Sequence, residues 1–223
     1  MKPLGFSPPA PPPPERVILL PRPRRDGGRS VLAALWRRKT LRAISPRPLS
    51  RQALAEILWA SAGVNRPRKG PFGGIGRTAA TASNSQEIRS YVALPRGLYL
   101  YEPAAHRLKL VMAEDLRSLA IGRGQGIGAQ APVRLIFTAD ITKYDTAGFP
   151  EPGLHDPETQ KSYYYAAAGL MAGNASLLAA ALGLAAWFHN CDRPGFRKKL
   201  RLPLTERPLF GLTVGHAARG PKE

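Results

Sequence analysis

Tyr91-Val92-Ala93-Leu94-Pro95-Arg96-Gly97-Leu98-Tyr99-Leu100-Tyr101 reads as two short strands folded back on each other. Aromatic and aliphatic residues fill both arms and Pro-Arg-Gly supplies the turn, so a hairpin, and with it an antiparallel pair, is expected. Leu108 to Val111 offers a further strand. Val133-Arg134-Leu135-Ile136-Phe137-Thr138 is the run in the sequence that best fits a buried strand.

Helical patterns surround these strands. Ser30 opens a short helix through Leu32, Leu35 and Trp36; Ser50 caps a second, in which Leu54, Ile57 and Leu58 fall at i, i+3 and i+4 before Gly63. Asp115 to Ala120 reads as a short helix. A long one is expected from about Gln160 to Leu182, turning Leu170, Leu177, Leu178 and Ala181 to the core and ending at Gly183. Ala185 to Phe188 returns as a strand, Asp192 caps a short helix with Pro194 in its first turn, and Leu209 to Val214 closes with a strand. This order points to an α+β sandwich, helices packed on a central, partly antiparallel sheet. Residues 65 to 86 form a long polar, glycine-containing connection, and 141 to 160, rich in Gly and Pro, read as a mobile lid or loop.

The chain has 223 residues, enough for one domain with a substantial core. Residues 1–29 combine a polyproline run with Arg22, Arg24 and Arg25 and lack a core pattern, so they are expected as a flexible arm; residues 30–223 are expected as the domain. With 33 Lys+Arg against 15 Asp+Glu the formal charge is +18, enough to draw any polyanion. A basic nucleic-acid-binding protein without cofactor, in which Arg38, Arg42, Arg197, Lys198 and Lys199 meet phosphates, is one reading of that charge. Cys191 is the one cysteine, which excludes an intrachain disulfide and a cysteine-rich zinc site. Prolines occupy the place of a signal peptide's apolar region, the stretch from Ala175 to Phe188 is too short to span a bilayer, and a cytoplasmic location is the default.

Arg38-Lys39-Thr40-Leu41-Arg42 sets three cations and a hydroxyl within five residues, entered from an apolar turn. Guanidinium forks and a Thr hydroxyl suit a phosphorylated ligand, and the flanking apolar residues suggest that the cluster lies near the interior.

Three segments taken together resemble the flavin-dependent nitroreductase family, most closely its thiazole- and oxazole-forming dehydrogenase branch. Arg38 to Ile44 is similar to the family's opening pattern of Arg, a polar residue, Ser/Thr and a second cation, with Ile44 where an aromatic is usual. Arg77 to Gln86 is similar to the Pro-Ser-x-x-Asn-x-Gln loop, with Ala80 and Thr81 replacing Pro-Ser. Asn174 to Leu184 resembles the helix that ends in Leu-Gly-Leu. The resemblance implies a three-layer α/β/α sandwich around a mainly antiparallel sheet, FMN as cofactor, and a homodimer with FMN at the interface. It implies that Arg38 and Thr40 hold the phosphate and ribityl chain, that Lys39 helps along that edge, and that Arg42 faces the pyrimidine side. Thr81, Asn84 and Gln86 would meet the flavin edge, Leu182 and Gly183 would bring backbone near the reactive edge, and Arg219 or Lys222 would pair with the phosphate. The chemistry implied is hydride transfer through flavin N5, without a catalytic triad or metal. NAD(P)H would be the donor and a nitroaromatic, quinone or similar compound the acceptor, or an azoline-type substrate would be oxidised directly. A protein that stores or fragments FMN is a third reading. His106, His155, His189 and His216 are expected to be structural, and a hydroxyl from Tyr163, Tyr164 or Tyr165 is a candidate proton donor whose simpler role is packing.

Overall fold

The structure, a computed structural model, describes residues 13–70, 74–125 and 131–218. Its strands are β1 (Val17–Leu19), β2 (Val64–Arg66), β3 (Gly76–Arg77), β4 (Ile88–Leu94), β5 (Gly97–Glu102), β6 (Arg107–Met112), β7 (Val133–Asp140), β8 (Ala185–Asn190) and β9 (Glu206–Gly215). Its α-helices are α1 (Val31–Arg37), α2 (Arg51–Ala62), α3 (Pro157–Ala181) and α4 (Arg193–Leu200). Seven strands form one sheet in the order β1-β6-β5-β4-β7-β9-β8, every neighbouring pair antiparallel, while β2 and β3 make a separate small ribbon.

The hairpin forms as its sequence dictates, with Tyr91 opposite Leu100 and Leu94 opposite Gly97. All of β7 is buried. Leu135 and Phe137 belong to the core beneath α2 and α3, whereas Ile136 joins Tyr91, Leu98 and Phe196 in the core beneath α4. Burial on both faces explains the unbroken apolar run in a strand whose side chains alternate. Helices lie on both faces of the sheet, which makes a three-layer α/β/α sandwich.

Capping residues fix the helix starts. The hydroxyls of Ser30 and Ser50 accept from Ala33 N–H and Ala53 N–H, and Asp192 accepts from Gly195 N–H. The long helix begins earlier than its periodicity suggests, because Asp156 accepts from Thr159 N–H at 2.7 Å and Pro157 occupies the first helical position. Its buried stripe is Ala167, Ala168, Met171, Ala172, Ala175 and Ala179. Leu170, expected inside, is 50% exposed; it sits one residue, about 100°, away from that stripe. Between Asp115 and Ala120 the expected helix is a 3-10 turn over Arg117–Ala120. Residues 141–160 are not one loop: two 3-10 turns anchor them through buried Tyr144 and Leu154 before α3 begins.

Two expectations about the first forty residues are corrected. Residues 13–29 are not a detached arm: β1 pairs with β6, Leu20 enters the main core, and Arg24 forms an ion pair with buried Glu56 at 2.6 Å. The signal was thin, since Val17-Ile18-Leu19-Leu20 is a four-residue apolar run among prolines and arginines. The polyproline residues up to Pro12 lie outside the described residues. The basic cluster, moreover, does not point inward. Of α1 only Ala34 is buried, Leu32, Leu35 and Trp36 are exposed (Trp36 at 91%), and Arg38, Lys39, Thr40 and Arg42 are exposed as well.

Candidate functional site

Arg38 ends α1 with extended backbone, its N–H donating to Ala34 C=O at 2.8 Å. The chain then runs beside β8: Thr40 pairs in parallel with Ala186, and Leu41 N–H donates to Ala186 C=O at 3.1 Å. Buried Ile44 pairs with Ala217, so the segment is fastened at both ends and presents its cations outward. The Arg42 guanidinium carbon lies 5.7 Å from the Trp187 ring centroid, a cation–π contact that restrains the side chain. Among the described residues no carboxylate pairs with Arg38, Lys39 or Arg42.

Gly183 lies two residues before β8, the strand along which Thr40 and Leu41 run. Its φ of +72° is the left-handed conformation that glycine adopts most readily, and Gly183 N–H and Leu184 N–H donate to Ala180 C=O and Ala179 C=O, the paired bonds of a Schellman helix stop. Leu182 is the capping residue of α3. An added Cβ at Gly183 would stand 3.6 Å from Arg29 Nη1, a cation that sequence reading did not assign to the site. The backbone N–H of Arg29 donates to Ala181 C=O, which places this arginine at the negative end of the α3 dipole.

Thr81, Asn84 and Gln86 form a second assembly. The Thr81 hydroxyl accepts from Gln86 N–H at 3.0 Å; Gln86 Nε2 donates to Asn84 Oδ1 at 3.0 Å and to Ile75 C=O at 2.6 Å. Ser83, Asn84 and Gln86 all have positive φ, so this turn holds strain that its side-chain bonds secure. Asn174 of α3 donates to Thr78 C=O at 3.1 Å and ties the preceding strand to the helix.

The two assemblies do not meet within one chain. Ala186 pairs with Val214, which pairs with Val133, whereas the Thr81–Gln86 turn feeds into Ile88, which pairs with Ala139 at the far end of β7. Six residues of strand amount to roughly 20 Å, and the three strand spacings from β4 to β8 add roughly 14 Å sideways. Arg219 and Lys222 lie outside the described residues.

A cleft of about 540 Å³ opens at the second assembly, between the β2–β3 ribbon and the turn that carries Thr81 and Asn84. Arg66, Arg68, Arg77 and Phe149 line it. Sequence reading missed Arg66, Arg68 and Phe149, because a basic run in a glycine-rich loop looks the same whether it faces solvent or a cavity. Burial pulls the Arg77 guanidinium below the usual arginine range.

Other polar groups find partners within the fold. His189 is buried against Trp187, its ring nitrogens bonded to Asn190 C=O and the Thr213 hydroxyl, and burial brings it down to about 4, so it is neutral at pH 7. Burial pushes the Cys191 thiol up to about 11, which leaves no thiolate to act as nucleophile. Tyr163 donates to Glu151 at 2.9 Å, Tyr164 is buried and accepts from Arg207, and Tyr165 packs on Phe210. No group of His, Cys, Asp and Glu among the described residues could hold a metal ion, and no described helix is long and apolar enough to cross a membrane.

The sequence model of the nitroreductase family matches residues 35–216, a span that includes the basic cluster, the Asn84 turn, the Gly183 stop and the final strand. The chain belongs to the nitroreductase family. Members are oxidoreductases, typically flavin-dependent. Among solved structures, a protein from Ralstonia eutropha JMP134 provisionally designated a nitroreductase is 37% identical, with 92% of this chain and 91% of that one covered and a TM-score of 0.78. The Bacillus megaterium protein NfrA2 (20% identity, coverage 86% and 70%, TM-score 0.58) shares the nitroreductase fold. So does a chain of the Escherichia coli microcin synthetase McbBCD complex, captured with truncated pro-MccB17 bound (16% identity, coverage 79% and 68%, TM-score 0.63). Comparison with curated proteins gives no match.

Proposed function

We propose that the chain is an FMN-dependent oxidoreductase that works as a homodimer, with NAD(P)H as donor and a nitroaromatic, quinone or similar small molecule as acceptor. The observation that carries this reading is the exposed line of Arg38, Lys39, Thr40 and Arg42, without carboxylate partners among the described residues, beside the left-handed Gly183. These donors fit FMN chemically: guanidinium and ammonium for a phosphate, a hydroxyl for the ribityl chain, and a side-chain-free backbone where a flat ring approaches. Opposite corners of the sheet hold the other amide donors and acceptors, and a two-fold pairing of chains would bring the Thr81, Asn84 and Gln86 turn of one copy to the basic edge of the other.

When bound, FMN supplies two-electron hydride chemistry at N5. Arg42, held over Trp187, would stabilise negative charge on the pyrimidine side. Arg38, Lys39 and Thr40 would hold the phosphate and ribityl end, with Arg219 or Lys222 as a further phosphate partner. The amides of Asn84 and Gln86 can accept and donate at once, which suits a ring edge of alternating acceptors and N–H. No described histidine, cysteine or tyrosine is needed as acid or base. Direct oxidation of an azoline-type substrate is the second reading of the same site, and a cytoplasmic location goes with either.

The test is the absorption spectrum of purified protein and the mass of any released cofactor. Flavin absorbance with the mass of FMN is expected; Arg38→Ala and Arg42→Ala should each weaken FMN affinity about tenfold or more, the worth of one charge-assisted contact, read by titrating FMN into flavin-stripped protein. Wild-type affinity in both variants refutes the assignment. Colourless protein with a steeply salt-dependent affinity for nucleic acid would support the competing reading instead.

A further inference from the structure

The cleft beside the Asn84 turn joins three arginines to a flat apolar lining. Arg66, Arg68 and Arg77 border it together with Ala79, Ala80 and Phe149, and Thr81 and Asn84 of the proposed flavin site line the same cleft, so a ligand here would lie next to the flavin. None of the three guanidiniums forms an ion pair among the described residues, although nine other ion pairs form there. Arg66 donates to Arg77 C=O at 3.3 Å, and its guanidinium lies over Gly76, where an added Cβ would stand 2.3 Å from Nε. The missing side chain at Gly76 is thus the space in which Arg66 rests. Arg77 Nε is buried without a hydrogen-bond partner. The Arg77 guanidinium is attracted to Glu87 and Tyr101, whereas Arg66 and Arg68 are exposed at the cleft and carry the charge that an anion there would meet.

We propose that this cleft binds a ligand in which an anionic group sits beside a planar apolar body. That chemistry is shared by an aromatic carboxylate acting as acceptor and by a nicotinamide donor bearing an extra phosphate. Guanidinium forks match carboxylate and phosphate oxygens in pairs, Phe149 and the two alanines offer the flat contact, and the volume falls within the roughly 300–1,000 Å³ of small-molecule sites. The inference rests on the oxidoreductase reading and extends it to substrate class. Arg66, Arg68 and Arg77 are specificity-determining residues here, not members of the flavin grip.

The experiment compares 4-nitrobenzoate with 4-nitrobenzamide, and NADPH with NADH, as kcat/KM ratios in full-length, flavin-loaded protein. In Arg66→Gln and Arg68→Gln one of the two ratios falls about tenfold, equivalent to about 1.4 kcal/mol. A fall in the first ratio assigns the anion to the acceptor, and a fall in the second assigns it to the donor's phosphate. Gly76→Ala, which removes no charge but displaces the Arg66 guanidinium, shifts the same ratio in the same direction, and Arg68→Lys retains part of it. Both ratios staying within twofold of wild type in both Gln variants overturns the proposal. Flavin content and turnover of the neutral amide report separately on the FMN reading. Should that reading fail, calorimetric titrations with 4-nitrobenzoate and with NADPH still decide: binding of either one weakened about tenfold in the Gln variants upholds the anion site, and binding of neither to wild type ends it.

Discussion

Replacing Glu206 by Ala should cost about 4 kcal/mol of folding stability. Glu206 is 4% exposed at the start of β9. Its Oε1 accepts from the Tyr91 hydroxyl and the Thr138 hydroxyl, each at 2.8 Å, and its Oε2 accepts from Arg89 Nη1 at 2.8 Å. One carboxylate therefore joins β4, β7 and β9 at the end of the sheet where the Thr81–Gln86 turn enters. Alanine leaves two buried hydroxyls without their acceptor, at about 1–3 kcal/mol each. Arg89 contributes less, about 0–1 kcal/mol, because its side chain is 38% exposed and keeps its bond to Asp140. Glu206→Gln preserves an acceptor and should cost about half as much. Combining Glu206→Ala with Tyr91→Phe removes one orphaned hydroxyl, so the double variant should be more stable than the sum of the single losses predicts, by about 1–2 kcal/mol. Urea unfolding followed by tryptophan fluorescence measures wild type, the three single variants and the double variant, with a common slope as the check that the unfolded states are comparable. A loss below 1 kcal/mol for Glu206→Ala, or strict additivity in the double variant, would refute the reasoning.

Glu87 gives a pH-dependent counterpart. It is fully buried, and burial raises its carboxyl above the usual range against the opposing bond from the Ser85 hydroxyl. A raised folded pKa contributes stability that is complete below the unfolded pKa of roughly 4.3 and disappears as pH rises through the folded value. Glu87→Gln does not titrate, so its urea midpoint should gain on wild type as pH rises above 4, until the folded carboxyl ionises; a difference that stays constant from pH 4 upward would count against the buried-carboxyl account. Removing residues 1–28 deletes β1, the buried Leu20 and the Arg24 partner of Glu56, for a loss of about 3–5 kcal/mol and a fall in Tm of roughly 10 °C. Unchanged calorimetric melting of the truncated protein would show that this segment is a passenger.

Fold was legible in the sequence wherever one residue type has one physical use. The Ser50 and Asp192 caps, the Pro-Arg-Gly turn and the apolar run of β7 each dictate a local conformation that the tertiary structure preserves. Reading failed where context decides. Three residues of β1 look like coil until β6 is beside them, and Leu170 looks like core until the stripe of alanines takes the inner face of α3. For the site, motif order supplies candidates. Thr40 of the basic cluster pairs with Ala186, three residues after Gly183, while Arg29 and Arg66 sit against their glycines for reasons of three-dimensional proximity that spacing does not encode.

The two outer strands of the sheet bear on how the chain is made. Val17–Leu19 closes one edge against β6, and Thr40 and Leu41 close the other against β8, so a single segment of the chain seals both sides. Those partners are synthesised later, β8 more than a hundred residues later. During translation the segment must wait unpaired, and the sheet acquires its final borders only after its last strands exist. Docking of residues 17–41 is thus expected to be a late event in folding, dominated by contacts of long sequence separation and slow for that reason. The basic edge is assembled by that same event, so a chain arrested before β8 emerges would carry the arginines of the proposed flavin grip without the surface that arranges them.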